Sequence, residues 1–352
     1  MAFIRENISL QPYHTFGIDV PARYFSSFRG ISELQELVTE SLHLPASPNQ
    51  SLRAPFILGG GSNILFLSNV DGLVLKNEVM GIEKGEEDED HIYISVGAGE
   101  NWHGFVLHCI ANGWAGIENL SLIPGNVGAS PMQNIGAYGV ELSSVFHELK
   151  AFHLREQSNY TFSKKDCAFG YRDSIFKRKY RDQFVIMRVT FRLNKKPVFH
   201  TEYGVIREEL ERMGVQELSI AAISQAVINI RQSKLPDPAE IGNAGSFFKN
   251  PVVNKNVFEK LKQRFEYIVG HEQTDGSMKL AAAWLIEHCG PREGESWKGF
   301  RRGDAGCHAR QALVLVNYGQ ATGKEIFDLS EEIRISVKEK FDVDLEREVN
   351  CL

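Results

Sequence analysis

The run from Leu122 to Gly139, LIPGNVGASPMQNIGAYG, sets glycines at 125, 128, 136 and 139 among amide and small side chains and holds no charged residue. Glycine lets a backbone pass through positive φ and approach a ligand closely, so the N–H groups of such a run can surround an anion that no local cation meets. That chemistry suits a diphosphate, although an ordinary glycine-rich loop has the same composition. A second place where amides can face a phosphate is Gly59-Gly60-Gly61-Ser62-Asn63, which follows the apolar Phe56-Ile57-Leu58. It completes neither a P-loop nor a dinucleotide-binding turn, and taken alone it reads as a tight turn between strand and helix.

Other polar clusters punctuate the later chain. Gly170-Tyr171-Arg172-Asp173-Ser174-Ile175-Phe176 carries a guanidinium that on residue type alone would pair with a carboxylate such as Asp173. Asn243-Ala244-Gly245-Ser246-Phe247-Phe248-Lys249-Asn250-Pro251 holds a serine outside any G-x-S-x-G elbow, so a hydrolase nucleophile is not supported and a loop or capping serine fits equally. Lys234 reads as a surface cation and Gln311 as a polar residue at a strand entrance.

The elements that position these groups follow from periodicity. A strand is expected near 22–28, then a helix with Ile31, Leu34, Leu37, Val38 and Leu42 on one face, opened by a Ser32/Gln35 capping box and stopped by Pro45 and Pro48. Glu83 to Asp90 is expected to be a solvated turn, His91 to Val96 a strand, and Trp102, Phe105, Val106, Cys109 and Ile110 the core face of a helix ended by Gly113. Alternation over 162–169 and 185–193 predicts half-buried antiparallel strands. Helices are expected over 205–213 and 219–233, with Lys234-Leu235-Pro236-Asp237-Pro238 as a linker. Further helices are expected from Asn254, from Lys279 to Gly290-Pro291, and from Thr322, which Glu325 completes as a capping box. An apolar strand is expected over 313–316.

At 352 residues the chain exceeds what one core usually serves, so two or three domains are expected. Lys plus Arg number 39 against 45 Asp plus Glu, and without a basic tract nucleic acid is not an expected partner. No run approaches the ~18 apolar residues of a membrane span, and the opening residues lack a signal-peptide h-region, so a soluble cytoplasmic protein is expected. Five widely spaced cysteines and eleven scattered histidines form no zinc or disulfide pattern, so the thiols are read as mostly buried and no metal is implied.

Together the long glycine run, GGGSN and GYRDSIF resemble the UDP-N-acetylenolpyruvoylglucosamine reductase family over nearly the whole chain. The resemblance implies an α+β fold in three parts, with a two-subdomain FAD-binding module (PCMH/vanillyl-alcohol-oxidase-like) and a C-terminal α+β substrate domain. The corresponding boundaries are 1–76 with 331–352, 77–228 and 229–330, with the site between the parts. It implies non-covalent FAD held by Gly59, Gly60, Gly61, Ser62, Asn63, Pro124, Gly125, Gly128, Ala129, Gln133, Asn134, Gly136, Ala137 and Tyr138. It implies a UDP-sugar substrate bound by Tyr171, Tyr203, Lys234, Asn250 and Gln311, and catalysis by Arg172, Ser246 and Glu348. NADPH is the implied hydride donor, in peptidoglycan synthesis, and a monomer is expected. Where the family usually reads Leu-Glu-Pro-Glu-Val, this chain has Leu345-Glu346-Arg347-Glu348-Val349, which keeps the carboxylate but removes the ring that would stiffen the backbone beside it. A flavin oxidase and a catalytically silent nucleotide-binding protein are the alternatives. Fast reaction with oxygen would mark the first, and failure of NADPH to bleach bound flavin would mark the second.

Overall fold

Alternating apolar residues in the middle of the chain produce long antiparallel strands, and the sheet they form carries much of the core. The computed structural model describes residues 3–45 and 54–352, and Pro48 lies outside them. The chain divides into two units: residues 1–9, 21–61 and 69–233 form unit 1, and residues 10–20, 62–68 and 234–352 form unit 2. The border at 233/234 falls at the start of the proline-bearing linker.

In unit 1 a five-stranded antiparallel sheet runs in the order Ser158–Ser163, Phe146–His153, Phe184–Asn194, His91–Gly97, Ile82–Glu87. A four-stranded sheet has the order Arg5–Ser9, Pro21–Phe28, Val70–Asn77, Phe56–Leu58, its last two pairings parallel. Helix α1 (Ile31–Ser41) buries Leu34, Leu37 and Val38 together with Phe28, Leu75, Phe152 and Met187. Helix α2 (Trp102–Ala111), capped by Asn101, buries Trp102, Phe105, Val106 and Cys109 in a second cluster with Phe191 and Val96. Three short to medium helices complete the unit: α3 (Lys164–Cys167), α4 (Gly204–Arg212) and α5 (Ile220–Lys234), the last reaching the unit border.

Unit 2 pairs Gly242–Ser246 with Val314–Asn317, which continues to Ala305–Cys307 and Arg301–Arg302. A second small sheet has Met278–Leu280 between Val252–Val253 and Gly270–Glu272. Around these stand α6 (Lys255–Arg264), α7 (Ala282–Glu287) and α8 (Gly323–Phe341). The expected capping box of α8 is present, Thr322 and Glu325 exchanging backbone and side-chain bonds, and Ile326, Leu329, Ile333 and Val337 are fully buried. Residues 331–352, expected with the N-terminal part, lie here in unit 2 with residues 62–68, where Asn350–Cys351 pairs in parallel with Ile64–Leu65.

Four local expectations are corrected. The N-cap of α1 is Gly30 with no side-chain cap bond; Glu33 instead accepts from Arg29 N–H at 2.7 Å, so Ser32 sits inside the first turn. Glu83–Glu87 belong to the strand Ile82–Glu87, a sheet-edge position where exposed charge is favourable and Arg188 meets Glu83 at 3.0 Å. The alternation over 162–169 ends at Ser163, because Ser163 and Asp166 form a capping box that opens α3. Helix α7 starts at Ala282 and not at Lys279: Met278–Leu280 is claimed by strands on both sides, and Asn250 Oδ1 accepts the Ala282 N–H at 3.0 Å.

Helix α8 begins against the backbone of residue 66, since a Cβ on Gly323 would lie 1.8 Å from the Phe66 carbonyl oxygen. Gly323→Ala should therefore cost about 1–3 kcal/mol, read as a lower thermal midpoint by circular dichroism; an unchanged midpoint would contradict the packing.

Candidate active site

In unit 1 the two glycine turns touch each other. A Cβ on Gly60 would stand 2.7 Å from Gly125 Cα and 2.8 Å from Asn126 Oδ1, so this approach requires glycine. Half-buried Lys76, its pKa lowered by burial, donates to the Gly59 carbonyl and fixes the shorter turn. The longer run is pinned to the entrance of α2: Trp102 N–H donates to Gly125 O at 3.0 Å, Val127 N–H to Glu100 O at 2.9 Å, and Asn126 Nδ2 to Gly99 O at 2.8 Å. Gly128 N–H reaches Ala98 O at 2.9 Å. Asn134 spends its side chain within the protein, donating to Glu141 at 2.8 Å and Gly170 O at 3.1 Å and accepting from Ser143 N–H at 2.9 Å. Gly136-Ala137 pairs with Val140-Glu141, while Pro124 and Ala129 are exposed and Gln133 and Tyr138 half-buried.

Tyr171 and Arg172 form the tip of a tight turn closed by mutual N–H to carbonyl bonds between Gly170 and Asp173, at 3.0 and 3.2 Å. Arg172 has φ 52°, a left-handed conformation that is uncommon outside glycine and that clusters at functional sites. Asp173 is taken by Arg178 at 3.0 Å. Arg172 Nη2 donates to Gly136 O at 2.7 Å, which ties the guanidinium to the long glycine run. Tyr203 stands at the N-cap position of α4 without a side-chain cap bond, and its ring meets that of Tyr138 edge-on at 5.9 Å.

In unit 2, Gly245 with φ 69° lies within an irregularity in the strand pairing between Asn243 and Ser246, and Asn243 Oδ1 accepts its N–H at 2.9 Å. A bulge of this kind re-aims the residue that follows, and Ser246 is exposed. Residues 247–249 then pair antiparallel with 346–348: Glu348 N–H donates to Phe247 O and Lys249 N–H to Glu346 O, each at 2.9 Å. The two candidate proton-handling residues are thereby linked through the backbone. Glu346 is exposed and ion-paired with Lys249, whereas Glu348 is half-buried with its carbonyl accepting from Asn63 Nδ2 at 3.2 Å. Asn250 caps α7, Gln311 Oε1 accepts from Leu313 N–H at 3.3 Å, and Lys234 is exposed at the end of α5.

The C-terminal domain of UDP-N-acetylenolpyruvoylglucosamine reductase is matched over residues 237–352, and an FAD binding domain over 49–154. Over 349 residues the chain is 51% identical to the UDP-N-acetylenolpyruvoylglucosamine reductase of Amoebophilus asiaticus, spanning 99% of both chains. This chain belongs to the UDP-N-acetylenolpyruvoylglucosamine reductase family. The reductase of Pseudomonas putida is 46% identical, with 98% of each chain covered. The reductase structure from Thermus caldophilus shares the fold at TM-score 0.68 and 23% identity, covering 100% of this chain and 99% of that one.

As a member of the reductase family, the chain presents residues that fit FAD. The contact between Gly60 and Gly125 forms a backbone cradle that a single Cβ would fill, and neither turn brings a carboxylate to repel a diphosphate. Among the described residues no cluster of His, Cys, Asp or Glu could hold a metal, and no helix is long and apolar enough to cross a membrane. Cys109, Cys167, Cys289 and Cys307 are buried thiols and Cys351 is partly exposed.

Two charged groups in unit 1 escaped the sequence reading. Arg231 on α5 hydrogen-bonds Tyr138, and burial, opposed by Tyr138 and reinforced by the Arg172 cation, lowers its pKa. Its only sequence signal is position: it stands four residues after buried Val227, on the apolar stripe of its helix. Glu118, almost fully buried, accepts from Gly116 N–H at 2.6 Å, and burial raises its pKa.

Gly60→Ala should raise the Kd for added FAD about tenfold or more, corresponding to an overpacking cost of ~1–3 kcal/mol. Flavin fluorescence quenching would measure this, with unchanged circular dichroism. For Glu118, the raised folded-state pKa means its stability contribution is full below the unfolded value and lost as pH rises through the folded one. Glu118→Gln keeps an acceptor for Gly116 and cannot ionise. Its thermal midpoint should gain on the parent's as pH rises from about 4 to about 8.

Proposed function

We propose that the chain reduces UDP-N-acetylglucosamine enolpyruvate to UDP-N-acetylmuramate in peptidoglycan synthesis, using FAD and taking hydride from NADPH, as a soluble cytoplasmic monomer. The backbone link between Ser246 and Glu348 carries the mechanistic reading, because it sets a hydroxyl and a half-buried carboxyl on paired segments. Gly59 to Asn63, with Pro124, Gly125, Gly128, Ala129, Gln133, Asn134, Gly136, Ala137 and Tyr138, hold the cofactor in this reading. Tyr171, Tyr203, Lys234, Asn250 and Gln311 bind the UDP sugar, and NADPH departs before the sugar enters.

Bound FAD supplies the two-electron carrier between nicotinamide and substrate. Adding hydride to the terminal carbon of the enol ether leaves negative charge on the carbon bearing the carboxylate and on its oxygens. The Arg172 guanidinium offers a planar fork of donors to those oxygens. Its left-handed turn and its bond to Gly136 O fix that fork before substrate arrives, so little reorganisation is required. Glu348 faces the second carboxylate oxygen in this reading and, in its acid form, donates a hydrogen bond to it. Ser246 gives its hydroxyl proton to the carbanionic carbon, a transfer that is favourable because the carbon is the stronger base.

General acids contribute about 10² to 10⁴ in rate. Ser246→Ala should therefore bleach bound flavin with NADPH at the parental rate yet lose turnover by about that factor in stopped-flow assays with the enol ether. Parental turnover would remove Ser246 from the reaction. A purified protein without flavin absorbance that also ignores added FAD would overturn the function itself.

A further inference from the structure

The segment that carries Glu348 is clamped onto α8 through the residue before it. Arg347 lays its guanidinium over the Phe327 ring, 4.2 Å from the centroid, donates from Nε to Ser330 Oγ at 2.9 Å, and ion-pairs with Glu331. Ser330 is fully buried and itself donates to Phe327 O at 2.6 Å, so the acceptor is fixed. Glu331 is shared with Arg334, whose Nη1 approaches it at 2.8 Å and whose Nε holds Leu345 O at 2.9 Å. Two arginines around one carboxylate thus fasten 345–347 to a single face of α8.

We propose that Arg347 is a positioning residue for Glu348, its side-chain clamp replacing backbone stiffness at this point of the chain. The proposal rests on Glu348 acting on the enol ether as set out above. Successive side chains of an extended segment leave on opposite sides, so drawing Arg347 toward α8 turns Glu348 away from it. The flanking ladder bonds use the amides of Glu348 and Lys249, which makes Phe248 and Arg347 a pair whose own amides the ladder does not need. A ring that fixes φ at 347 would sacrifice no ladder bond and would restrain the same backbone without a clamp.

The test separates the two half-reactions of the FAD-loaded protein by stopped flow. Arg347→Ala should slow reoxidation by the enol ether about tenfold to a hundredfold, the scale expected of a small misplacement. Its rate of flavin bleaching by NADPH, its FAD content and its KM for the enol ether should stay within about threefold of the parent's. Arg347→Pro should restore reoxidation to within about threefold, and Glu331→Gln, which loosens the clamp from α8, should slow it in the same half-reaction if Arg347→Ala does not fold. In a Glu348→Gln background, Arg347→Ala should add nothing further. Parental reoxidation in Arg347→Ala would overturn the proposal, as would equal losses in both half-reactions or an Arg347→Pro enzyme as slow as Arg347→Ala. Slow Glu348→Gln with unaffected Arg347→Ala defeats the positioning role alone, whereas parental reoxidation in Glu348→Gln removes the catalytic role of Glu348 and the clamp's purpose together.

Discussion

The contact on which unit 1 depends is made by atoms that are missing. Gly60 lies against Gly125 because it carries no Cβ, which would stand 2.7 Å from Gly125 Cα. Everything around the contact keeps it in place: Lys76 on one side, and the start of α2 on the other through the amides of Trp102 and Val127. The glycine-rich composition therefore yields a rigid seat, since its freedom is spent on packing and hydrogen bonds and little flexibility remains.

Charge in the same unit is handled by burial. Half-buried Arg172, Arg231 and Tyr138 interact with one another, and buried Glu118 holds the neighbouring Gly116 amide. A guanidinium close to another guanidinium is unfavourable in isolation, and the cost is relieved when an anion enters. The left-handed Arg172 is a second local cost maintained by its surroundings, here the closed turn and the Gly136 carbonyl. Both features favour binding of negative charge at the long glycine run.

What could be read from the residues divides by range. Helices with an apolar stripe and a local cap were legible: Thr322 with Glu325 marks the start of α8, and the stripe from Ile326 to Val337 names its buried face. Ser32 with Gln35 has the same spacing, but Glu33 captures the Arg29 amide and the helix begins at Ile31, two residues earlier than that spacing implies. The motifs GYRDS and GSFFKN named Arg172 and Ser246, but not the turn or the strand irregularity that presents them. Arg231 and the Arg347 clamp were illegible because their partners, Tyr138 and the residues of α8, lie far off in sequence. No local pattern encodes such pairs.

Unit 2 is assembled from early and late stretches of the chain. Thr15 O accepts the Asn243 N–H, and Ile64–Leu65 pairs with Asn350–Cys351, so early residues wait for partners made much later. During synthesis the early stretches can find those partners only after the intervening residues of unit 1 have emerged, and closing so long a loop is slow. Nascent chains of this protein should thus pass through a stage in which unit 1 can already fold while segments 10–20 and 62–68 still lack their mates. That order exposes Phe16 and Phe66, both fully buried in the finished fold, to chaperones until residues 234–352 have been made.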